Sequence, residues 1–539
     1  MIPLLVVAGY LALLLVLGSV SNLLFRGTSR DYALASQTIG PVLLLLSLFG
    51  TTMTAFALVG STGRAYTLGA GVYGLLASAS GIVHSLCFFL IGVPLWRLGR
   101  RHGFLTQVEF FRRRLESPGL GLALFPVLVG LVIPYLLVGV IGGGTVLEGV
   151  SRGAFRSWGW FPEHDFALPS YLGSLLVCAV VLVYVFLGGM RGTAWANAFQ
   201  TTVFMVLGVI TFVVIAKGVG GRPSFWQSVQ AATQRVLQEN PAHLSRENIP
   251  KSVYASFLLI PLSVGMFPHI FQHWLTARRA SAFKLPIVMH PIFILVVWAP
   301  CVMIGLWATT SAAGLPPEVK ENQVLALMVS RFAGPWLTGL LTAGILAAVM
   351  SSLDSQFLAL GTMFTNDVVL YYFGPEHFTE RRKVWLARGF IVTIVALTYL
   401  LSLFPHRAVF DMGLWCFAGF TALVPLVLAA LYWPRLSRAG AWASLAAMVA
   451  TWAVLFYRSD FGANKRYAFP EPWMAQASWG WLVSWCPPLH PVVAITAAAT
   501  VALVVVSLVT RPVREEVLRE FFPSAERPLA AAENPAGVC

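Results

Sequence analysis

The sequence predicts an all-α polytopic membrane protein, and three observations carry that prediction. Hydrophobic residues make up 58% of the 539 and charged residues only 11%, with a mean hydropathy of +0.77. Such a chain cannot cover its apolar surface with polar groups, so a soluble fold is excluded. About thirteen apolar stretches are long enough to cross ~30 Å of hydrocarbon. Two of these stretches, five places apart in the series, are interrupted near the middle by Gly, Pro, Thr or His.

In chain order the stretches lie at roughly 3–24, 40–66, 71–96, 120–147, 170–189, 195–217, 253–276, 284–312, 325–366, 384–404, 409–433, 438–457 and 489–510; we number them as spans zero to twelve. Span zero, "MIPLLVVAGYLALLLVLGSVSNLL", has no preceding basic residue, so it reads as a retained helix rather than a cleaved signal. The organisation expected is an extra helix over 1–24, a ten-helix core over 40–433, two further helices over 437–511 and a tail over 512–539. The formal charge of +14 is read as topology, with no nucleic acid implied. With the amino terminus outside, 22 of the 36 Lys and Arg fall on the cytoplasmic face, led by "WRLGRRHGFLTQVEFFRRRL" and "TERRKVWLAR". The positive-inside rule then puts the carboxyl terminus in the cytoplasm of a cell (plasma or inner) membrane. The loop at 218–251 contains "PSFWQSVQAATQRVLQ", an amphipathic helix by spacing. The tail after Arg511 is Ala/Pro/Glu-rich and too short for a kinase or receptor module.

The interruptions point to a site. Span one carries "LSLFGTTMTAFALVG" and span six "PLSVGMFPHIFQ", so each opens a block of five, as in two inverted repeats whose first helices break at the binding site. Ordinary kinks at Gly and Pro are the plainer alternative. Residues placed to meet a solute are Thr51, Thr52 and Thr54 on span one, Tyr135 on span three, and Phe267 and His269 on span six; a proton relay or a hydrogen-bonded structural role is the other reading of His269. Span eight adds "AAVMSSLDSQFLALGTMFTND". At about 100° per residue, Ala348, Ser351, Ser352, Ser355, Ala359 and Thr362 form one small, oxygen-bearing stripe with Asp354 on its flank. Close helix packing would explain the serines but not the aspartate, because an ionisable group inside a membrane is costly and marks a cavity or an ion path. Hydroxyls on that stripe, with carbonyls freed where span one unwinds, suit a hard monovalent cation.

The "MSSLDSQ" segment, "GGMRGTAWANAFQ" at 188–200, "DYALASQTIGP" before span one and "FPH" in span six together resemble the sodium:solute symporter family over about 30–433. The resemblance implies a leucine-transporter-like fold of ten core helices in a five-plus-five inverted repeat, alternating access and sodium as the coupling ion. It also implies a main sodium site from the backbone oxygens of Gly50, Met53 and Ala348 and the hydroxyls of Ser351 and Ser352. The chain departs from the family pattern in two places. Asn197 stands where the family commonly has an aspartate, and Gly139 where glutamine is frequent. A second cation or proton site would then fall to Asn197, Asp354 and Ser355; the plainer reading is that Asp354 merely pairs with a nearby donor such as Asn197. The run "IGGGTVLEG" is similar to the pantothenate and monocarboxylate branch.

The function expected is inward symport of sodium with a small polar organic solute, by a protein working as a monomer in the bilayer without organic cofactor. A transporter-like sensor that signals through a partner is the alternative; no fused output domain supports it. An enzyme has no P-loop, GxSxG elbow or metal-ligand cluster to rest on. The six cysteines fall in no metal spacing, and His84 and His290 read as buried hydrogen-bonding groups. Glu148 reads as interfacial; Arg64 and Tyr66, at the outer end of span one, read most plainly as interface anchors, with guarding an entrance as the alternative.

Overall fold

The computed structural model describes residues 1–22, 27–247, 249–316, 318–404, 408–464, 467–471 and 487–522. We label fifteen helices in chain order: α1 (Ile2–Asn22), α2 (Pro41–Thr52), α3 (Phe56–Leu68), α4 (Gly71–His102), α5 (Pro118–Val150), α6 (Ser170–Gly220), α7 (Phe225–Glu239), α8 (Lys251–Gly265), α9 (Pro268–Leu275), α10 (Ala280–Trp307), α11 (Pro335–Phe373), α12 (Glu380–Ser402), α13 (Val409–Tyr432), α14 (Arg438–Arg458) and α15 (Pro491–Val509). Among the described residues, ten helices are long and apolar enough to cross a membrane alone. The pairs α2–α3 and α8–α9 qualify together, bent by 55° and 49°.

α6 has 51 residues. A straight helix of that length would run roughly 76 Å, far beyond the hydrocarbon thickness. Gly189, at φ +52°, divides it. A Cβ at that position would lie 2.6 Å from the Tyr32 ring, so both the backbone angle and the neighbour demand glycine. The two parts match the expected stretches 170–189 and 195–217. The expected single stretch 325–366 is corrected: a separate helix Val324–Phe332 precedes α11, which restarts at Pro335. Proline has no N–H to continue a helix and suits the first turn of the next. The amphipathic helix expected in the 218–251 loop is α7, which buries Ser228, Ala232 and Val236 on one side.

Burial follows from these faces. α1 lies against α6 and α11. Val7, Tyr10, Leu11 and Leu14 turn inward while Leu5, Leu13, Val16 and Val20 stay exposed as an apolar outer face. α11 is central, buried at every residue from Leu341 to Met363, and packs on α6, α5, α1 and α12. α5 reaches the α2–α3 gap through glycine: a Cβ at Gly142 would sit 2.5 Å from that of Ala55, and one at Gly139 2.7 Å from Leu353. The GxxxG spacing of Gly139 and Gly143 is therefore a packing surface.

Candidate functional site in the broken helices

The first break follows from the local sequence. α2 ends at Thr52, and Met53 is extended at φ −88°, ψ 109°. Thr54 restarts the chain: its hydroxyl accepts from the Phe56 N–H at 3.0 Å, and its carbonyl accepts from Ala57 and Leu58. Thr54, two residues ahead of α3, thus caps the restarting chain with its hydroxyl. Thr52 uses its hydroxyl on the Phe49 carbonyl at 2.9 Å. The last carbonyls of α2 have lost their helical donors. α11 runs past them: Ser351 Oγ lies 2.8 Å from the Gly50 carbonyl and 3.0 Å from that of Ala348, while Ser352 Oγ donates to Val349 at 3.0 Å. Gly50 must be glycine because α6 closes on it from the other side, placing Thr201 Oγ1 2.4 Å and the Asn197 carbonyl 3.2 Å from any added Cβ. Gly50, Ala348 and Ser351 are thus drawn together, with Met53 one step past the end of α2.

The flank of the stripe is a hydrogen-bonded chain across four helices. Ser47 Oγ lies 3.0 Å from His273 Nδ1, and His273 Nε2 lies 3.0 Å from Ser355 Oγ. Ser355 donates to Asp354 Oδ1 at 2.9 Å and accepts from Asn197 Nδ2 at 2.9 Å. Tyr184 donates to Asp354 Oδ2 at 3.1 Å. With the Ser355 proton on Asp354, the only consistent tautomer has His273 Nε2–H donating to Ser355 and Ser47 donating to Nδ1. Asn197 reaches Asp354 through Ser355. Asp354 itself is wholly buried.

At the second break, Gln107 Nε2 donates to the Met266 carbonyl at 3.2 Å and so caps the end of α8. α9 starts at Pro268 with no side-chain cap. Tyr135, Phe267 and His269 gather there: the Tyr135 ring is 5.3 Å from Phe267 and 5.8 Å from His269, and His269 stacks on Phe267 at 5.2 Å. Phe417 joins them at 5.1 Å from Tyr135 and links to Phe56 of α3 at 4.9 Å. His269 is 1% exposed. Among the described residues, neither of its ring nitrogens has a hydrogen-bond partner, and Thr51 Oγ1 has none either. By contrast, His84 Nδ1 and His290 Nε2 pair with each other at 3.0 Å, and Glu148 pairs with His164 at 3.1 Å.

Ion pairs stand on both approaches. On one face Arg64 lies 3.7 Å from Asp411 and 3.7 Å from Glu321, with its guanidinium 5.2 Å over Phe410, which stacks on Phe56. On the face bearing the Arg97–Arg114 block, Arg191 bonds Asp31 at 2.9 Å and Arg112 lies 3.6 Å from Asp367. Residues not singled out from the sequence are Ser47, Gln107, Tyr184, Thr201, His273 and Phe417. His273 had a signal, standing one helical turn beyond His269. The others become neighbours only through helix crossings.

Residues 32–448 match the sodium:solute symporter family profile. The chain is 24% identical over 428 residues to the osmoregulated proline transporter OpuE of Bacillus subtilis, covering 78% of this chain and 81% of that one. It is 25% identical over 445 residues to the sodium/proline symporter of Escherichia coli, covering 77% and 80%. Among solved structures, a Na+-coupled sialic acid symporter in a substrate-bound outward-open state superposes with a TM-score of 0.71 at 16% identity, covering 95% of this chain and 99% of that one. A nucleobase-cation-symport transporter, MHP1, in a closed conformation, gives 0.55 at 14% identity, covering 90% and 97%. The fold is leucine-transporter-like, and the chain belongs to the sodium:solute symporter family of sodium-coupled transporters, not to an enzyme class.

Proposed function

We propose that one sodium ion binds between the end of α2 and α11, on the carbonyls of Gly50, Met53 and Ala348 and the hydroxyls of Ser351 and Ser352, and that the solute binds beside it. The observation that carries this reading is Ser351 Oγ within 3.0 Å of two carbonyls from two helices, Gly50 and Ala348. A hydroxyl that turns its proton aside leaves three oxygens facing one point, the donor set a hard cation takes. The solute lies at the facing breaks, among Tyr135, Phe267 and His269, with Thr51 offering a free hydroxyl; Thr52 and Thr54 support the backbone there. Asn197, Asp354 and Ser355 form a second cation or proton site, supported by the uncompensated carboxylate.

The relatives named above are proline transporters, so a small amino acid is the first solute to try, and the "IGGGTVLEG" likeness to the pantothenate branch carries no substrate. The protein works as a monomer, amino terminus outside and carboxyl terminus in the cytoplasm, with the extra helix, ten-helix core and two added helices divided as the sequence suggests. Proteoliposomes test the reading. Labelled L-proline accumulates only under an inward sodium gradient if symport is right, and sodium-dependent binding without accumulation would favour a sensor. Asp354→Asn lowers the number of sodium ions moved per solute if the second site takes a cation, and flattens the pH profile if it takes a proton. A folded Asp354→Asn protein with both unchanged removes the second site.

A further inference from the structure

After α15 the chain runs "VREEVLREFF" at 513–522, where Val513, Val517 and Phe521 recur every four residues and so share one face of the short helix Glu515–Phe521. Seven residues are fewer than the about 12–15 that a helix needs to stand alone in water, so this one is ordered by what it packs on. It lies across the connection between α4 and α5. Glu520 is 3.0 Å from His102 Nδ1 at the end of α4, and Arg514 pairs with Glu116 just before α5. Between these two ties Phe521, 7% exposed, enters a seat of rings: it stacks on His102 at 5.0 Å and meets Phe104 and Phe110 at 6.3 Å. The Arg114 guanidinium stands 5.9 Å over the same ring and 4.9 Å over that of Phe522.

The seat belongs to the loop helix Gln107–Arg114, which has four other holds. It clasps the second broken span on both sides of the break: Gln107 bonds the Met266 carbonyl that ends α8, and the Phe110 ring lies 6.4 Å from Phe271 of α9. Arg112 stands 3.6 Å from Asp367 near the end of α11. Arg114 donates to the Ala430 and Trp433 carbonyls at the end of α13, at 2.9 and 3.3 Å. In alternating access one face opens while the other stays shut. Opening here parts α9 from α11 and α13, and that strips contacts from the loop helix. We propose that the Glu515–Phe521 helix is a strap: docked, it presses the loop helix onto α9 and keeps the transporter shut on the face bearing the Arg97–Arg114 block; undocked, it lets that face open more often. The ties suit reversible docking. The Arg514 and Glu520 side chains are 72% and 43% exposed, so water and salt weaken both pairs, and the buried Phe521 ring carries most of the hold.

Amide hydrogen exchange on the purified full-length chain in lipid nanodiscs tests the strap. It needs no solute, so its outcome is independent of the sodium and solute sites proposed above. Phe521→Ala empties the seat and leaves its rings in place. Exchange should quicken several-fold at 104–114 and, together with it, at 266–275, which spans the end of α8 and all of α9; the segment 58–68 of α3, which carries Arg64 on the opposite face, should not quicken. Phe521→Leu, which refills the seat with an apolar side chain, recovers most of the protection. Faster exchange confined to 104–114 overturns the strap, because the short helix would then cover the loop without holding α9. Equal quickening at 58–68 overturns it as well, being a general loosening of the fold. Unchanged exchange at 104–114 and 266–275 in Phe521→Ala shows that the seat holds nothing shut, and the proposal falls.

Discussion

Ser351 has one proton and two carbonyls within reach, so its hydroxyl is held where a cation would need an oxygen. Ser351→Ala and Ser352→Ala should each raise the sodium half-saturation by about tenfold or more, the equivalent of roughly 1.5 kcal/mol for a contact to a charge, with maximal uptake largely restored at high sodium. Sodium titration of uptake checks this, and an unchanged half-saturation in both variants removes the site. Gly50→Ala acts by a different route: its methyl would meet Thr201 Oγ1 at 2.4 Å, the same hydroxyl that donates to the Leu46 carbonyl at 2.8 Å. Overpacking of this kind costs about 1–3 kcal/mol and should lower the melting temperature, with Thr201→Ala in the same chain recovering part of it. The serines, Gly50 and Asp354 were legible in the sequence because each is an exception: oxygen, no side chain, or charge inside an apolar run. Tyr184, Ser47 and Thr201 were not, because a hydroxyl in a membrane helix ordinarily bonds its own backbone and gains meaning only from the helix that crosses it.

At the scale of elements, what could be read was where helices stop. Gly with Thr announced the α2–α3 break and Gly with Pro the α8–α9 break, and the two parts of α6 were already separate apolar stretches at 170–189 and 195–217. The restart at Pro335 was missed as a boundary because the apolar run continues on both sides of it. The caps were not legible either: Gln107, on the short helix Gln107–Arg114, closes a break more than 150 residues away in sequence. The short helix Glu515–Phe521 after α15 illustrates the same long reach. Arg514, just before it, pairs with Glu116 ahead of α5. That hydrogen bond holds the Glu116 carboxyl below the usual carboxylate range. The folded value is depressed, so the contact contributes at neutral pH and is lost only as pH falls below the ordinary carboxylate range. Glu116→Gln should expose the 511–522 segment and speed tryptic cleavage after Arg514 and Arg519 at pH 8 several-fold; an unchanged cleavage rate would show that other contacts hold the segment.

For the whole molecule, the central rings lie between two sets of ion pairs, Arg64 with Asp411 and Glu321 on one side, and Asp31 with Arg191 and Arg112 with Asp367 on the other. Alternating access requires that one set open while the other stays shut. Arg64→Ala should therefore favour opening on its own face. In a chain whose other cysteines are replaced, Cys416, 1% exposed beside the ring cluster, should react several-fold faster with an impermeant thiol reagent added from that side. An unchanged rate means that Arg64 is not the latch. The Gln107 bond to Met266 admits a comparison of a different kind. If rocking of α9 breaks it in every cycle, the cost is about 1 kcal/mol. One elementary charge crossing the membrane releases about 2.3 kcal/mol per 100 mV. Some 40–50 mV then suffices to undo the clasp, well under a resting potential, so the electrical field that drives sodium inward can also power the release of the broken helix.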